Sequence, residues 1–259
     1  MRGRVLSFIQ AGIRPALVEL EVLTKKQAVI EKGELIMRNL VLLSNLSDNM
    51  NPQLEDKIKG IIGKGSFKIG YIPSQSDPQR KYYNFVKEYF QNIGVSDFLY
   101  FDADQEYDET IIEELKACDG LFLSGGNTFY FLKNLQKRNL IPTIQDMVEK
   151  GKLLIGLSAG SIIMSKTIKI ADYIDENIVD LQTVDALDLI DFEFMPHWDV
   201  QQPRLEGLLE YSLTNRNTIY TCYDGDGIVI QGDSIEFFGK VNEIRNGKLI
   251  EMNWSGENE

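Results

Sequence analysis

Histidine is almost absent from this chain: among 259 residues there is one, His197. Any chemistry that needs an imidazole must use it, and a zinc site built from several histidines is excluded. Cysteine is equally sparse. Cys118 and Cys222 belong to no cluster at metal-ligand spacing, and one pair in a chain this long is no disulfide scaffold, so neither a metal nor a disulfide framework is expected. The same scarcity points to a reducing, cytoplasmic setting. Positive charge is in deficit, with 27 Lys and Arg against 39 Asp and Glu and a net charge of −12. The basic residues are scattered and form no basic face, which argues against nucleic acid and against an anionic membrane surface as partners. No apolar run approaches the roughly 20 residues of a membrane span. Nor does a long apolar core follow the early arginines, as a secretory signal requires. Against these absences, 43% of the residues are hydrophobic, enough at this length for one substantial core.

Residues 1–36 differ from the rest. The stretch from Ala16 to Val29 has the spacing of an amphipathic helix. Glu31-Lys32-Gly33-Glu34 can be encoded by a purine-rich run resembling a bacterial ribosome-binding site, and Met37 follows at a suitable distance. The expectation is a native start at Met37 with residues 1–36 a translated leader; the alternative is an N-terminal helix packed on the body.

From Met37 onward, apolar strands alternate with amphipathic helices. Strands are predicted at 40–43, 67–72, 98–101, 120–123 and 153–156, with helices at 52–62, 81–90, 110–117, 128–136 and 141–150. Such alternation predicts a mostly parallel sheet covered on both faces. The periodicity then weakens until a strand at 192–195 and a helix at 204–212. The end reads as β-structure at 219–223, 227–231, 234–238 and 248–252, with hairpin turns at Gly232-Asp233 and Asn246-Gly247.

Ser158 stands at the most informative turn. Leu153-Leu154-Ile155 runs into Gly156-Leu157-Ser158-Ala159-Gly160, and a helix-like stretch from Ser161 to Lys166 follows. Gly-x-Ser-x-Gly between a strand and a helix is the setting of a nucleophile elbow. The strand carries the serine to the carboxyl edge of the sheet, and the small residues permit the sharp turn. The Ala159 amide is then placed to stabilise an oxyanion. His197 follows a short apolar strand broken by Pro196, which puts it at a strand end where the catalytic groups of α/β proteins gather. A structural hydrogen bond is the plain alternative for a lone histidine; beside the elbow, a general base is the stronger reading. A second strand-to-helix turn, Ser124-Gly125-Gly126-Asn127-Thr128, allows backbone amides to approach a ligand closely. Gly126 or Asn127 would supply the other oxyanion donor, and a phosphate-binding loop or a plain tight turn is the alternative. The dinucleotide fingerprint and the P-loop lysine are both absent.

Four blocks, in order, resemble the dipeptidase E (α-aspartyl dipeptidase) family of serine peptidases, to which the cyanophycinases are related. They are Tyr71-Ile72-Pro73-Ser74, Ser124-Gly125-Gly126-Asn127-Thr128-Phe129, Gly156-Leu157-Ser158-Ala159-Gly160, and Ala186-Leu187-Asp188-Leu189 running on to Pro196-His197-Trp198. The likeness extends from about Met37 to Met252. It implies a flavodoxin-like α/β body similar to class I glutamine amidotransferases: a three-layer sandwich with a mostly parallel sheet and C-terminal β hairpins. Residues 37–259 would then form a single α/β peptidase domain.

The resemblance also implies a Ser-His-acid triad, with Ser158 as nucleophile and His197 as base. The family's acid lies in a turn after the penultimate strand group and is commonly followed by glycine. Tyr223-Asp224-Gly225-Asp226-Gly227 matches that position, so Asp224 is the expected acid, with Asp226 second; Asp199 would have to fold back to reach the histidine. Members that take an N-terminal aspartate carry an Arg-Thr-Thr-Asn-like stretch after the elbow, where this chain has Lys166-Thr167-Ile168-Lys169. Lys166, Lys169 and Arg204 are the candidate substitutes, with Asn127 a further candidate substrate contact. Lysine does not offer the two-pronged fork that arginine presents to a carboxylate, so aspartate specificity is in doubt. The expected activity is hydrolysis of short peptides through an acyl-enzyme, without a cofactor. Expected partners are a small peptide substrate and, as an assembly, a homodimer. The alternatives are an esterase, an amidase or a cyanophycinase-like isopeptidase with the same machinery, a catalytically silent binding protein of the same fold, and a flavin- or nucleotide-binding module.

Overall fold

The computed structural model describes residues 38–46 and 50–252; the expected start at Met37 and the segment before it lie outside them. Five parallel strands make the centre. They are β1 (Asn39–Leu43), β2 (Lys68–Ile72), β3 (Asp97–Tyr100), β4 (Gly120–Leu123) and β5 (Leu153–Leu157), in the spatial order β3-β2-β4-β5-β1. Their side chains alternate between two cores. Leu40, Leu42, Leu121, Leu123 and Leu154 join one, while Val41, Leu43, Tyr71, Phe122 and Ile155 join the other. Both faces are covered, which is why these strands read as continuous apolar runs.

Helices α1 (Pro52–Ile62) and α2 (Lys81–Asn92) cover one face, burying Leu54, Ile58, Val86 and Phe90. Helix α1 starts where the sequence says it should. Asn51 accepts from the Gln53 and Leu54 amides, and Pro52, which has no N–H to satisfy, takes the first helical position. Helices α3 (Ile112–Ala117), α4 (Thr128–Lys137) and α5 (Ile141–Glu149) cover the other face through Leu115, Phe131, Leu132, Ile144 and Val148. The result is the expected three-layer α/β architecture with a mostly parallel central sheet.

Two regions depart from the predicted elements. The helix expected over 161–166 is one turn long, α6 (Ala159–Ile162). The carbonyls that would continue it are taken by a later segment: Ala186, Leu187 and Leu189 donate to Lys166, Ile163 and Met164 at 2.9, 3.0 and 2.9 Å. The C-terminal β-structure divides between two sheets. β8 (Gly227–Gln231) and β9 (Ser234–Phe238) form a hairpin that extends the central sheet antiparallel to β1. β6 (Glu193–Met195), β7 (Ile219–Cys222), β10 (Val241–Arg245) and β11 (Lys248–Met252) form a second sheet in the order β11-β10-β7-β6. β10 was not predicted, because Asn242, Glu243 and Arg245 dilute its apolar signal. The parallel pair β6 and β7 is joined through α7 (Trp198–Gln201) and α8 (Leu205–Asn215). Phe194, Ile219, Cys222, Val241 and Ile244 seat this sheet on the same core as Leu40 and Leu42.

Glu193 opens β6 and is only 4% exposed. The Tyr211 hydroxyl and the Asn217 amide donate to its Oε1 at 2.8 and 3.3 Å, while Oε2 has no partner among the described residues. Burial raises its pKa above the ordinary carboxylate value. The folded chain therefore holds this proton more tightly than the unfolded chain, and stability falls as pH rises from the unfolded pKa through the raised one. Glu193→Gln should thus gain on the wild type between pH 4 and pH 7, by about 2–4 °C in Tm for each ~1 kcal/mol of relieved charge burial. Thermal melts at both pH values test this; an offset that does not change with pH would show that no buried charge is involved.

Candidate active site

Ser158 follows β5 directly, and β5 lies between β4 and β1. The Ser158 amide donates to Leu43 O at 2.9 Å, one residue past the strand. The backbone then turns at φ 51° and ψ −107°, a conformation that costs a non-glycine residue strain. Two glycines make the turn possible. A Cβ on Gly156 would lie 2.5 Å from the Ser161 nitrogen, and one on Gly160 would lie 2.2 Å from Leu123 O, against backbone that cannot move aside. Ser161 ties the turn back to β1: its hydroxyl accepts from the Leu43 amide at 3.1 Å and donates to Leu43 O at 3.0 Å. Ala159 opens α6, so its amide has no partner within that helix.

His197 and Asp224 come from the second sheet. Parallel pairing sets Met195 opposite Thr221, so the carboxyl ends of β6 and β7 finish together. Two residues beyond β6, His197 adopts a left-handed conformation at φ 56°; two residues beyond β7 stands Asp224. The His197 Nδ1 donates to Asp224 Oδ1 at 2.6 Å, and Ser158 Oγ lies 2.9 Å from His197 Nε2. With the Nδ1 proton engaged by the carboxylate, Nε2 of the neutral ring is the acceptor that faces the serine hydroxyl.

The end of β1 supplies two residues that the sequence reading missed. Ser44 Oγ donates to Asp224 Oδ1 at 2.9 Å and accepts from the His197 amide at 2.7 Å. Asn45 Nδ2 donates to Asp224 Oδ2 at 3.2 Å. The available signal was a polar pair following the apolar Leu40–Leu43 run, at the carboxyl end of a strand. Asp226 is engaged elsewhere: it accepts from the Lys240 amide at 2.9 Å, and burial raises its pKa. Asp199 is exposed on α7.

The glycine turn after β4 runs against the serine. A Cβ on Gly125 would lie 3.6 Å from Ser158 Cβ, and one on Gly126, at φ 136°, would lie 2.1 Å from Ser74 Oγ. Ser74 braces the turn by donating its hydroxyl to Gly125 O at 2.8 Å and its amide to Ser124 Oγ at 2.7 Å. The Asn127 side chain is committed to structure. It accepts from the Tyr130 amide at 2.9 Å to cap α4 and donates to Glu176 O at 2.8 Å.

Ser158, His197, Gly126 and Asn45 line a cleft of about 780 Å³ whose far wall is the segment from Pro73 to Val86. The cations proposed from sequence are not in its lining. Lys166 and Lys169 border a separate depression with Glu193 and Asn217, and Arg204 is exposed at the end of a 3₁₀ turn. The segment of α2 reads from its sequence as an aromatic-rich helix, but nothing local shows that Tyr82 and Phe85 would line this cleft. Among the described residues, no group of histidine, cysteine and carboxylate side chains is arranged to hold a metal ion, and no helix is long and apolar enough to cross a membrane.

Comparison with known proteins agrees with the resemblance seen in the four sequence blocks. The profile of Peptidase family S51 matches residues 40–238. A Peptidase E of Shewanella denitrificans is 28% identical over 227 residues, covering 83% of this chain and 94% of that protein. An uncharacterised peptidase of Listeria monocytogenes is 28% identical over 206 residues, covering 77% and 97%. Among solved structures, a putative peptidase E from Listeria monocytogenes aligns with a TM-score of 0.63 at 25% identity, covering 78% of this chain and all of that one. A peptidase from an acI-B1 Actinobacterium shares the fold, with a TM-score of 0.63 at 17% identity over 86% of this chain and 96% of that one. The chain belongs to peptidase family S51 and is a peptidase hydrolase similar to peptidase E.

Proposed function

We propose that this peptidase is a serine peptidase that hydrolyses short peptides through an acyl-enzyme, with Ser158, His197 and Asp224 as its triad. The observation that carries the reading is the unbroken hydrogen-bonded line from Ser158 Oγ through both ring nitrogens of His197 to Asp224 Oδ1.

In this reading Ser158 Oγ attacks the scissile carbonyl as His197 Nε2 takes its proton. Asp224 stabilises the imidazolium and holds the tautomer that leaves Nε2 free to accept. The amides of Gly126 and Ala159 take the negative charge that develops on the carbonyl oxygen, each such donor being worth about 3 kcal/mol in the transition state. The imidazolium returns the proton to the leaving amine, and the same base then activates the water that releases the acyl group. The strained turn at Ser158 supports this role, since strain of this kind collects at sites whose geometry must be held in advance. No step calls for a cofactor. A cytoplasmic setting belongs to the same proposal, and both cysteines are free thiols in the core.

Ser158→Ala should lower kcat/KM on any cleaved dipeptide by at least about 10⁴-fold, measured side by side with the wild type; retention of activity would sink the serine reading. Asp224→Asn should leave the fold intact and lower kcat by about 10³–10⁴-fold, because an amide in that place no longer holds the productive tautomer. Ser44 acts through its neighbours as a positioning residue. Ser44→Ala should reduce kcat by roughly tenfold with KM little changed, as expected for a group that supports the reacting ones without touching substrate. A purely elevated KM would contradict that role.

A further inference from the structure

We infer that the Ser158 cleft takes a substrate with an apolar or aromatic side chain beside the scissile bond, held by Tyr82 and Phe85 of α2, and that it disfavours an acidic one. The inference rests on the peptidase reading of the same cleft.

The cleft runs without a break from Ser158 and His197 to the first turns of α2. Its apolar wall is made by Pro73, Pro78, Tyr82, Phe85, Val86 and Leu157. Two of these are conspicuous. Tyr82 is 65% and Phe85 52% exposed, whereas Val86 and Phe90 of the same helix are 3% and 0% exposed. Helix α2 therefore buries one stripe in the core and leaves two aromatic rings in water on the wall of the cleft that also holds the nucleophile. A concave apolar surface next to reactive polar groups is the ordinary form of a site for a small ligand, and an apolar side chain laid against it would remove these rings from water.

The charges of the cleft favour the same substrate. One carboxylate and one ammonium, those of Asp77 and Lys81, line it and offset each other. Asp77 is held in place by the Tyr82 and Tyr83 amides at 2.9 and 3.3 Å. The nearby Arg80 pairs with Glu106 and lies 3.7 Å over the Tyr100 ring, so its guanidinium is already engaged. A carboxylate entering the cleft would meet no surplus of positive charge, on a protein whose net charge is −12 and whose overall field repels anions.

The test has two parts. Labelling of Ser158 by a fluorophosphonate, with Ser158→Ala as control, reports on the nucleophile irrespective of substrate. Steady-state kinetics on Phe-Ala, Leu-Ala, Asp-Ala and Ala-Ala, and on Ala-Phe, Ala-Leu and Ala-Asp, report on the cleft. In at least one of the two positions, the aromatic or leucine dipeptide should exceed both its aspartate counterpart and Ala-Ala by tenfold or more in kcat/KM, within the roughly 10–200-fold that hydrophobic pockets achieve. Phe85→Ala and Tyr82→Ala, both at exposed positions, should each reduce that preference over Ala-Ala several-fold. Leu213→Ala, an equally exposed apolar residue on α8 that does not line the cleft, should leave it unchanged. Labelling of Ser158 together with a preference for aspartate, with no cleavage of the apolar dipeptides, or with a preference untouched by both aromatic truncations would overturn the inference and leave the serine reading standing. Absence of labelling and of turnover would overturn the reading on which it rests.

Discussion

One hydroxyl couples the two sheets of this protein at its site. Ser44, at the end of β1, accepts from the backbone of His197 and donates to the carboxylate of Asp224. β1 belongs to the central sheet, as does β5, which delivers Ser158. His197 and Asp224 belong to the second sheet, so the line from serine to histidine to aspartate crosses between two structures that are not hydrogen-bonded to each other as strands. Their relative placement comes from a shared apolar core, in which Leu40 and Leu42 of one sheet meet Phe194 and Ile219 of the other. Apolar packing alone is not directional. The Ser44 bonds, with Asn45 on the far carboxylate oxygen, add direction at the one place where a small shift would separate donor from acceptor.

The same economy of position appears at the elbow. β5 is held on both sides, by β4 and β1; Gly156 has no room for a side chain against the backbone of Gly160 and Ser161, and Gly160 has none against Leu123 of β4. With no side chain at either glycine, the chain can leave the sheet at Ser158 in a strained conformation. Strain of this order, about 1–3 kcal/mol, persists because the buried strands on either side over-determine the path. The turn after β4 is built alike, with Ser74 filling the space that a Gly126 side chain would occupy. Carboxyl ends of β1, β2, β4 and β5 thus meet the carboxyl end of β6 around one cleft, the place where open parallel sheets bind ligands.

Much of this was legible from residues close together in the chain. Gly156, Ser158 and Gly160 announce a sharp strand-to-helix turn because the steric demand is local. The start of α1 is readable from Asn51 and Pro52 for the same reason. The extent of α6 was not, because carbonyls of residues 163, 164 and 166 are claimed by a segment some twenty residues later, and no local pattern reveals such competition. Lys166 and Lys169 looked close to the elbow by number, yet the short helix and the chain after it carry them to a different depression. The aromatic wall of the cleft was hidden by the opposite effect: Tyr82 and Phe85 fit a helix pattern, and nothing local says that the face they occupy is uncovered.

The sequence by itself determined the fold class, the serine at its turn, the single available imidazole and a pair of adjacent acids, since these follow from composition, periodicity and the steric needs of glycine. Tertiary structure alone brings one of the two acids to the histidine. Asp224 and Asp226 share one turn, but pairing of β7 with β6 sends the first to His197, while the second turns to the Lys240 amide after β9. It also decided the parts played by Ser44 and Asn45, which lie some 180 residues from Asp224. Hydrogen bonds are fixed by positions in space to within a few tenths of an ångström. Those positions depend on how whole strands pack, and the order of residues along one strand does not contain them.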